Sequence, residues 1–439
     1  MQRDPRERWQ LIPSGTRDWL PYQATRIRAA TAGVLAEAAR WGYREVVTPT
    51  LEYLDVLVRG EGADTADRLF KLVDRGGELL ALRPEMTTPV ARLVATRLKE
   101  EPAPLRVAYA GQVFRGREAG AARLREFPQA GCELIGPPTV DADAEIVALA
   151  VGALRAAGVS AFSVSLGHVG FLQGVLAGLD LSDDDGAEVR ALLYQKDFVG
   201  LRALLERHRA PADRLDALMA LPALRGAGAL EEARRLVHTP EGHEVVHDLE
   251  RLGEALAAHG VADAVTIDLS IIRDFDYYTG IVFEGHTAAL GAPLLGGGRY
   301  DRLLERFGVP LPATGFAIRL ERVLAAETAD VPEDGAQAWV PDAVVAAEAG
   351  CRADAAACAR ELRARGLAVA LEVLGRPWDE VAGEAARRGV PRAILVGCGT
   401  ARVREGAAPE RTVPIAELTA ARGAAARDAS GARGGQGAS

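Results

Sequence analysis

Residues 106–114 and 126–135 read as two strands of one hairpin, joined by a tip, 115–125, that holds Arg115, Arg117, Arg123 and Arg125. A hairpin of this length commits the chain to a sheet, since each strand must find a partner and a layer on which to bury a face. The returning strand carries Gln129 and Glu133. Strand residues four apart point to the same side, so the pair shares a face, with Gly131 and Cys132 between. A neutral acceptor and a carboxylate on one face suit an ammonium or an imidazolium. Two polar residues on a solvated sheet face are the alternative.

A second stretch, 271–284, reads as a strand, a polar turn and another strand. The turn packs Arg273, Asp274, Asp276, Tyr277 and Tyr278 together. Tyrosine offers an apolar ring with a hydroxyl at its tip, which suits the wall of a small polar pocket. Tyrosines at the edge of a core would look the same. Upstream, the strand 78–82 runs into Arg83-Pro84-Glu85-Met86-Thr87-Thr88-Pro89, which opens a helix over 90–98. Thr87 and Thr88 are suited to cap that helix and Pro89 to its first turn. Glu85 is either a partner of the helix dipole or a carboxylate aimed into a pocket.

Composition narrows the function classes. The chain has 439 residues, enough for two to three domains, and is 49% hydrophobic and 26% charged, as soluble globular proteins are. No apolar run reaches the ~20 residues that span a bilayer, and the charged start has no apolar leader segment. A net charge of −9 argues against a surface coated by nucleic acid. The only lysines are Lys71, Lys99 and Lys196, and no glycine-rich loop ends in Gly-Lys-Ser/Thr. A P-loop and a lysine Schiff base are therefore both unsupported. Cys132, Cys351, Cys358 and Cys398 form no CxxC pair, which reads as free, mostly buried thiols in a cytoplasmic chain.

The rest follows in order. A helix over 24–41 ends at Gly42, and a strand over 44–48 stops at Pro49. A helix over 141–157 and a strand over 160–166 precede a helical stretch from Gly167 to about Ala262. Within that stretch His243-Glu244-Val245-Val246-His247 matches the HExxH zinc pattern. The apolar stripe of the same helix is Val245, Val246, Leu249, Leu252 and Leu256, so the histidines fall on its solvated side, and no metal site is expected. Gly296-Gly297-Gly298 permits close backbone approach. An acidic, alanine-rich linker then leads to a small α/β domain of alternating strands and helices and a low-complexity Ala/Gly/Arg tail expected to be disordered.

Together these segments resemble the histidyl-tRNA synthetase family, a class II synthetase fold, over nearly the whole chain. Residues 14–21 resemble its N-terminal signature and Val47-Thr48-Pro49 the end of its dimer-forming motif 1. Residues 83–87, Phe114-Arg115 and 126–133 resemble the motif 2 region. Arg273-Asp274-Phe275-Asp276-Tyr277-Tyr278 resembles the histidine-recognition motif and residues 315–322 motif 3. The resemblance implies an α+β fold with an antiparallel sheet core and a helical insertion. The core would span 1–327 with the insertion at about 170–262. The linker would be 328–340, an anticodon-binding-like domain 341–420, and the tail 421–439. It also implies a histidine pocket. Glu85 and Thr87 would meet the α-amino group. Gln129 and Glu133, with Tyr277 and Tyr278, would frame the ammonium and imidazole. Arg115 and Arg273 would lie near the carboxylate.

The nucleotide half departs from the family pattern. Arg117 stands where the motif 2 acid belongs, with Glu118 one residue late. Arg319 replaces the glycine three residues before the motif 3 arginine, and Asp274 replaces the glycine after Arg273. A histidine pocket without adenylation chemistry resembles a paralogous family, the ATP phosphoribosyltransferase regulatory subunits. Segments 167–172 and 195–201 also resemble that family more than the synthetases. This implies a non-catalytic protein without a cofactor that activates a short-form catalytic partner in a hetero-oligomer built on a homodimer. It would take L-histidine as feedback effector and have no tRNA and no membrane partner. The alternative is an active histidyl-tRNA synthetase, which the C-terminal domain favours and the three substitutions oppose.

Overall fold

The computed structural model describes residues 11–116, 124–176, 179, 181–195, 197–208, 211–271, 278–327, 340–406 and 408–419. The arginine-rich tip beyond Gly116, the core of the 271–284 stretch, most of the acidic linker and the C-terminal tail lie outside these residues. The chain divides into two compact units, Met1–Gly335 and Ala336–Ser439.

The first unit begins with helix α1 (Pro21–Arg40), strand β1 (Arg44–Glu45) and a three-stranded sheet of β2 (Leu51–Tyr53), β3 (Lys71–Val73) and β4 (Leu79–Leu82). Helix α2 (Leu54–Glu61) follows β2, and α3 (Thr87–Leu93) continues into one π-helical stretch, Val94–Leu98. The hairpin is present as β5 (Leu105–Phe114) and β6 (Glu126–Ile135), then α4 (Val140–Ala156) and β7 (Ser163–His168). Six helices among the described residues form the helical stretch: α5 (Val169–Leu176), α6 (Asp183–Gln195), α7 (Phe198–Arg207), α8 (Ala212–Ala220), α9 (Ala229–Leu236) and α10 (Pro240–Ala258). Strands β8 (Val265–Ile267), β9 (Ile281–His286), β10 (Leu295–Arg299) and β11 (Ala313–Arg319) complete the unit with α11 (Leu320–Glu327).

The main sheet has the order β1-β5-β6-β11-β10-β9-β7-β8. Its pairs are antiparallel except β1 with β5 and β7 with β8, at the two edges. The hairpin therefore sits inside the sheet, and both of its faces are covered. Even-numbered β6 residues Ala130, Cys132 and Leu134 join a large core with Val34 and Ala38 of α1 and Ile146, Leu149 and Leu154 of α4. Phe127 and Ile135 face the other way, into a smaller core with Met86, Val90, Val107, Tyr109, Val113 and Tyr300. Fully burying one such leucine contributes about 1.5–3 kcal/mol. The reading of Gln129 and Glu133 as residues of a solvated face is overturned, since both are buried.

Other sequence expectations shift. The expected strand over 44–48 is paired only at Arg44–Glu45. Ile271 is not in a strand, and residues 272–277 lie outside the described set. The triple glycine lies within β10, where Gly297 and Gly298 pair with Phe283 and Val282 on one side and Phe316 and Gly315 on the other. On α10, Val246, Leu249, Leu252 and Leu256 are buried while His243 and His247 are exposed. No helix among the described residues is long and apolar enough to cross a membrane.

In the second unit β12 (Ala343–Ala347), α12 (Arg352–Ala364), β13 (Val369–Leu371), α13 (Trp378–Arg387) and β14 (Arg392–Val396) alternate as expected. They are followed by β15 (Thr400–Glu405), β16 (Arg411–Pro414) and α14 (Ile415–Thr419). The sheet order is β13-β12-β14-β15-β16, parallel among the first three strands and antiparallel after β14. The last two strands were not among the expected elements, although Thr400-Ala401-Arg402-Val403-Arg404-Glu405 alternates apolar and charged residues as a half-buried strand does.

Candidate functional site

Register places the polar residues. Glu133 of β6 lies opposite Gly315 of β11 and Val107 of β5, Gly131 opposite Ala317 and Tyr109, and Gln129 opposite Arg319 and Gly111. Directly paired residues point to the same face. One face of the central strands thus carries Glu133, Tyr109, Gln129 and Arg319 over a floor of bare glycine backbone.

Two of those glycines are required by what lies on them. A Cβ at Gly315 would overlap Glu133 Oε2, and one at Gly298 would lie 2.6 Å from the Tyr278 ring. Gly111 leaves room for the Arg83 guanidinium, which is spent on structure. Arg83 donates to the Gln112 carbonyl (2.8 Å), to the Thr48 carbonyl (2.7 Å) and hydroxyl (3.0 Å), and to the Pro49 carbonyl (3.2 Å).

Glu133 is the hub. Its Oε1 accepts from the hydroxyls of Thr87 (2.9 Å) and Tyr109 (3.0 Å), and its Oε2 from the Tyr300 hydroxyl. Three hydroxyl donors favour the carboxylate, but burial outweighs them and, with Glu85 nearby, lifts the group to about 8. At neutral pH Glu133 is therefore largely the neutral acid.

Glu85 meets the helix. Its Oε2 accepts from Thr87 N (2.5 Å) and its Oε1 from Thr88 N (2.7 Å), capping the first turn of α3. The expected caps, Thr87 and Thr88, instead lie inside the helix. The Thr87 hydroxyl goes to Glu133, and Thr88 Oγ1 is buried without a partner.

Among the described residues, two buried acceptor atoms here have no donor. Gln129 Oε1 is buried and makes no hydrogen bond. Glu61 Oε1, at the end of α2, is likewise enclosed and unpartnered, while the Glu61 carboxyl hydrogen-bonds that of Glu85. Burial and the neighbouring Glu85 carboxyl push Glu61 well above the usual carboxylate range, and the Arg115 charge opposes this. Arg115 also donates to the Pro84 carbonyl (3.4 Å) and stands 5.4 Å from the Phe127 ring centroid.

The far end of the face is closed. The Arg319 guanidinium lies 3.6 Å from the centroid of the Phe127 ring and donates to Glu321 Oε1 at 2.6 Å. A planar cation therefore already stacks on this aromatic ring.

Of the sequence candidates, the structure brings Glu85, Thr87 and Glu133 into one hydrogen-bonded cluster. Gln129 shares their sheet face, Tyr278 covers Gly298, and Arg115 borders Glu61. Arg273 and Tyr277 lie outside the described residues, as do Arg117 and Asp274. Sequence reasoning missed Tyr109, Tyr300 and Glu61. Tyr109 was legible in principle, since strand alternation places it with Glu133 once the β5–β6 register is known. Glu61 carries no motif.

Arg299 points away from Tyr300, to the opposite side of the sheet, where it lines a cavity of about 160 Å³ with Asp143, His168 and Thr139. Its donors are engaged by Asp143, Asp301 and the carbonyls of Pro137 and Thr139. Burial depresses His168 to about 4, so that imidazole is neutral.

Fold and site define a class II synthetase-like protein, and the histidyl-tRNA synthetase family model matches residues 15–323. A histidyl-tRNA synthetase from Nostoc shares the fold at 20% identity, with a TM-score of 0.77 over 93% of this chain and 98% of that one. Within this class the chain belongs to the family of ATP phosphoribosyltransferase regulatory subunits. It is 44% identical to the regulatory subunit of Moorella thermoacetica, covering 86% of this chain and 96% of that protein. It is 37% identical to a Bacillus halodurans structure described as an ATP phosphoribosyltransferase regulatory subunit/histidyl-tRNA synthetase. That match covers 86% of this chain and 96% of the other, with a TM-score of 0.76.

Proposed function

We propose that this chain is a non-catalytic cytoplasmic subunit that activates a short-form ATP phosphoribosyltransferase and binds L-histidine as its feedback inhibitor. The observation that carries the reading is the imbalance on the site face. Among the described residues Gln129 Oε1 and Glu61 Oε1 lack donors, and Glu133 is held neutral by burial. A ligand presenting an ammonium and ring N–H groups supplies the missing donors and draws Glu133 into its ionised form. Glu85, Thr87, Gln129, Glu133 and Tyr278 would take the cationic end and ring, with Tyr277 flanking, and Arg115 and Arg273 the carboxylate. Arg319, stacked on Phe127 and paired with Glu321, opposes adenine binding and hence adenylation.

Feedback then follows from linkage. Histidine must favour the inhibited arrangement of the complex over the active one, by a coupling of typically ~1–3 kcal/mol. A homodimer core is supported by the three-stranded sheet. Leu51, Tyr53 and Leu72 share one face of it and are exposed at 44%, 56% and 43%. An apolar sheet face of this kind suits a second copy of the chain.

The test is calorimetric titration of the full chain with L-histidine and separately with ATP, then an assay with the short catalytic subunit. Histidine binding, no ATP binding and histidine-sensitive activation are expected. ATP binding with pyrophosphate exchange would return the chain to the synthetases.

A further inference from the structure

In the C-terminal unit the Cys351 and Cys398 sulfurs stand 2.9 Å apart, less than 1 Å beyond a disulfide bond length of about 2.05 Å. The fold brings them there by strand pairing. Strand β12 ends at Ala347, opposite Val396, the last residue of β14. Glu348 N donates to the Val396 carbonyl at 2.8 Å, which holds the two chains in register past the strands. Cys351 then stands at the start of α12, and Cys398 lies in a turn closed by Gly397 N on the Thr400 carbonyl at 2.9 Å. Gly350 and Gly399, both at positive φ, sit beside the two cysteines and leave room for adjustment.

We infer that Cys351 and Cys398 are a thiol-modification site that a low-molecular-weight disulfide converts to a reversible intrachain disulfide. Cys398 is exposed and Cys351 buried, so the reagent meets Cys398 first. The Cys398 thiolate attacks one sulfur of the reagent, forming a mixed disulfide and expelling one thiolate. Cys351 then loses its proton to solvent and attacks the Cys398 sulfur. The protein disulfide forms and the second reagent thiolate leaves. Two protein thiols are oxidised, one small disulfide is reduced to two thiols, and the two protons pass to those thiolates. The Cys351 thiol, pushed up to about 11 chiefly by its hydrogen bond with Cys398, is freed of that restraint once Cys398 is capped. The bond joins the start of α12 to the turn after β14, across the carboxyl ends of two parallel strands, where open α/β sheets commonly receive ligands. In a reducing compartment such a bond is transient, as regulatory disulfides are. Cys132 and Cys358 are buried in the cores of their units and serve as internal controls.

The experiment treats the full chain with oxidised glutathione at mildly alkaline pH, blocks free thiols, and reads intact mass and peptide maps. The expected product is two hydrogen atoms lighter, cross-linked between the peptides of Cys351 and Cys398, and reversed by dithiothreitol. Cys351→Ser should stop at a glutathione adduct on Cys398, and Cys398→Ser should leave Cys351 unmodified. A stable adduct on Cys398 without ring closure in the native sequence, no modification at all, or a cross-link that survives Cys398→Ser would each overturn the assignment.

Discussion

Replacing Glu133 by glutamine keeps the side chain's shape and removes its charge. A carboxylate hydrogen-bonded to a cationic ligand contributes about 1.5–3 kcal/mol. In the chain alone the group titrates at about 8, so ionising it costs ~1.4 kcal/mol at pH 7 but only ~0.4 kcal/mol at pH 8. The net loss on substitution is therefore ~0–1.6 kcal/mol at pH 7 and ~1–2.6 kcal/mol at pH 8. Because the ionised fraction rises from roughly 9% to 50%, the ratio of native to variant histidine affinity should grow about fivefold over that unit of pH. The ratio cancels the ligand's own titration, which both proteins share, and Glu85 and Glu61 are common to both. Calorimetry at the two pH values measures it. A ratio independent of pH, or a variant that binds histidine as well as the native chain at pH 8, would refute the role of Glu133.

The same residue ties stability to pH. Its folded value, about 8, lies above its ordinary 4.5, so the folded chain holds more protons across that window and loses stability as pH rises through it. Thermal unfolding should show Glu133→Gln gaining on the native protein between pH 5 and pH 8, and an unchanged difference would count against the buried acid. Gly315→Ala forces a Cβ onto Glu133 Oε2. It should cost about 1–3 kcal/mol of stability and abolish histidine binding in a chain that circular dichroism shows to be folded. Arg319→Ala strips the buried Glu321 of its nearest cation and should cost on the order of 3 kcal/mol. Adding Glu321→Ala should recover part of that loss in a double-mutant cycle, whereas strict additivity would mean the pair is uncoupled. Leu51→Asp with Tyr53→Asp should convert a dimer to monomers in light scattering, and a dimer that persists would move the interface elsewhere.

Much of this protein was legible in its sequence. Local patterning placed the hairpin, the helix over 141–157 and the strand–helix alternation of the C-terminal unit, because periodicity and turn residues act over short spans. The ordered motifs pointed to the class II fold. Arg319, standing where the motif it resembles has glycine, singled out the end of the sheet face that the structure fills with its guanidinium on Phe127. Other properties depend on register between strands far apart in sequence. Only pairing of β6 with β11 sets Glu133 over Gly315, and only the smaller core brings Tyr300 to Glu133 from more than 160 positions away. Those contacts decide that Glu133 is desolvated, that Glu85 caps its own helix, and that among the described residues Gln129 Oε1 has no donor. The close approach of Cys351 and Cys398 has the same origin. Residue types are local, but burial and the balance of donors to acceptors belong to the packed sheet.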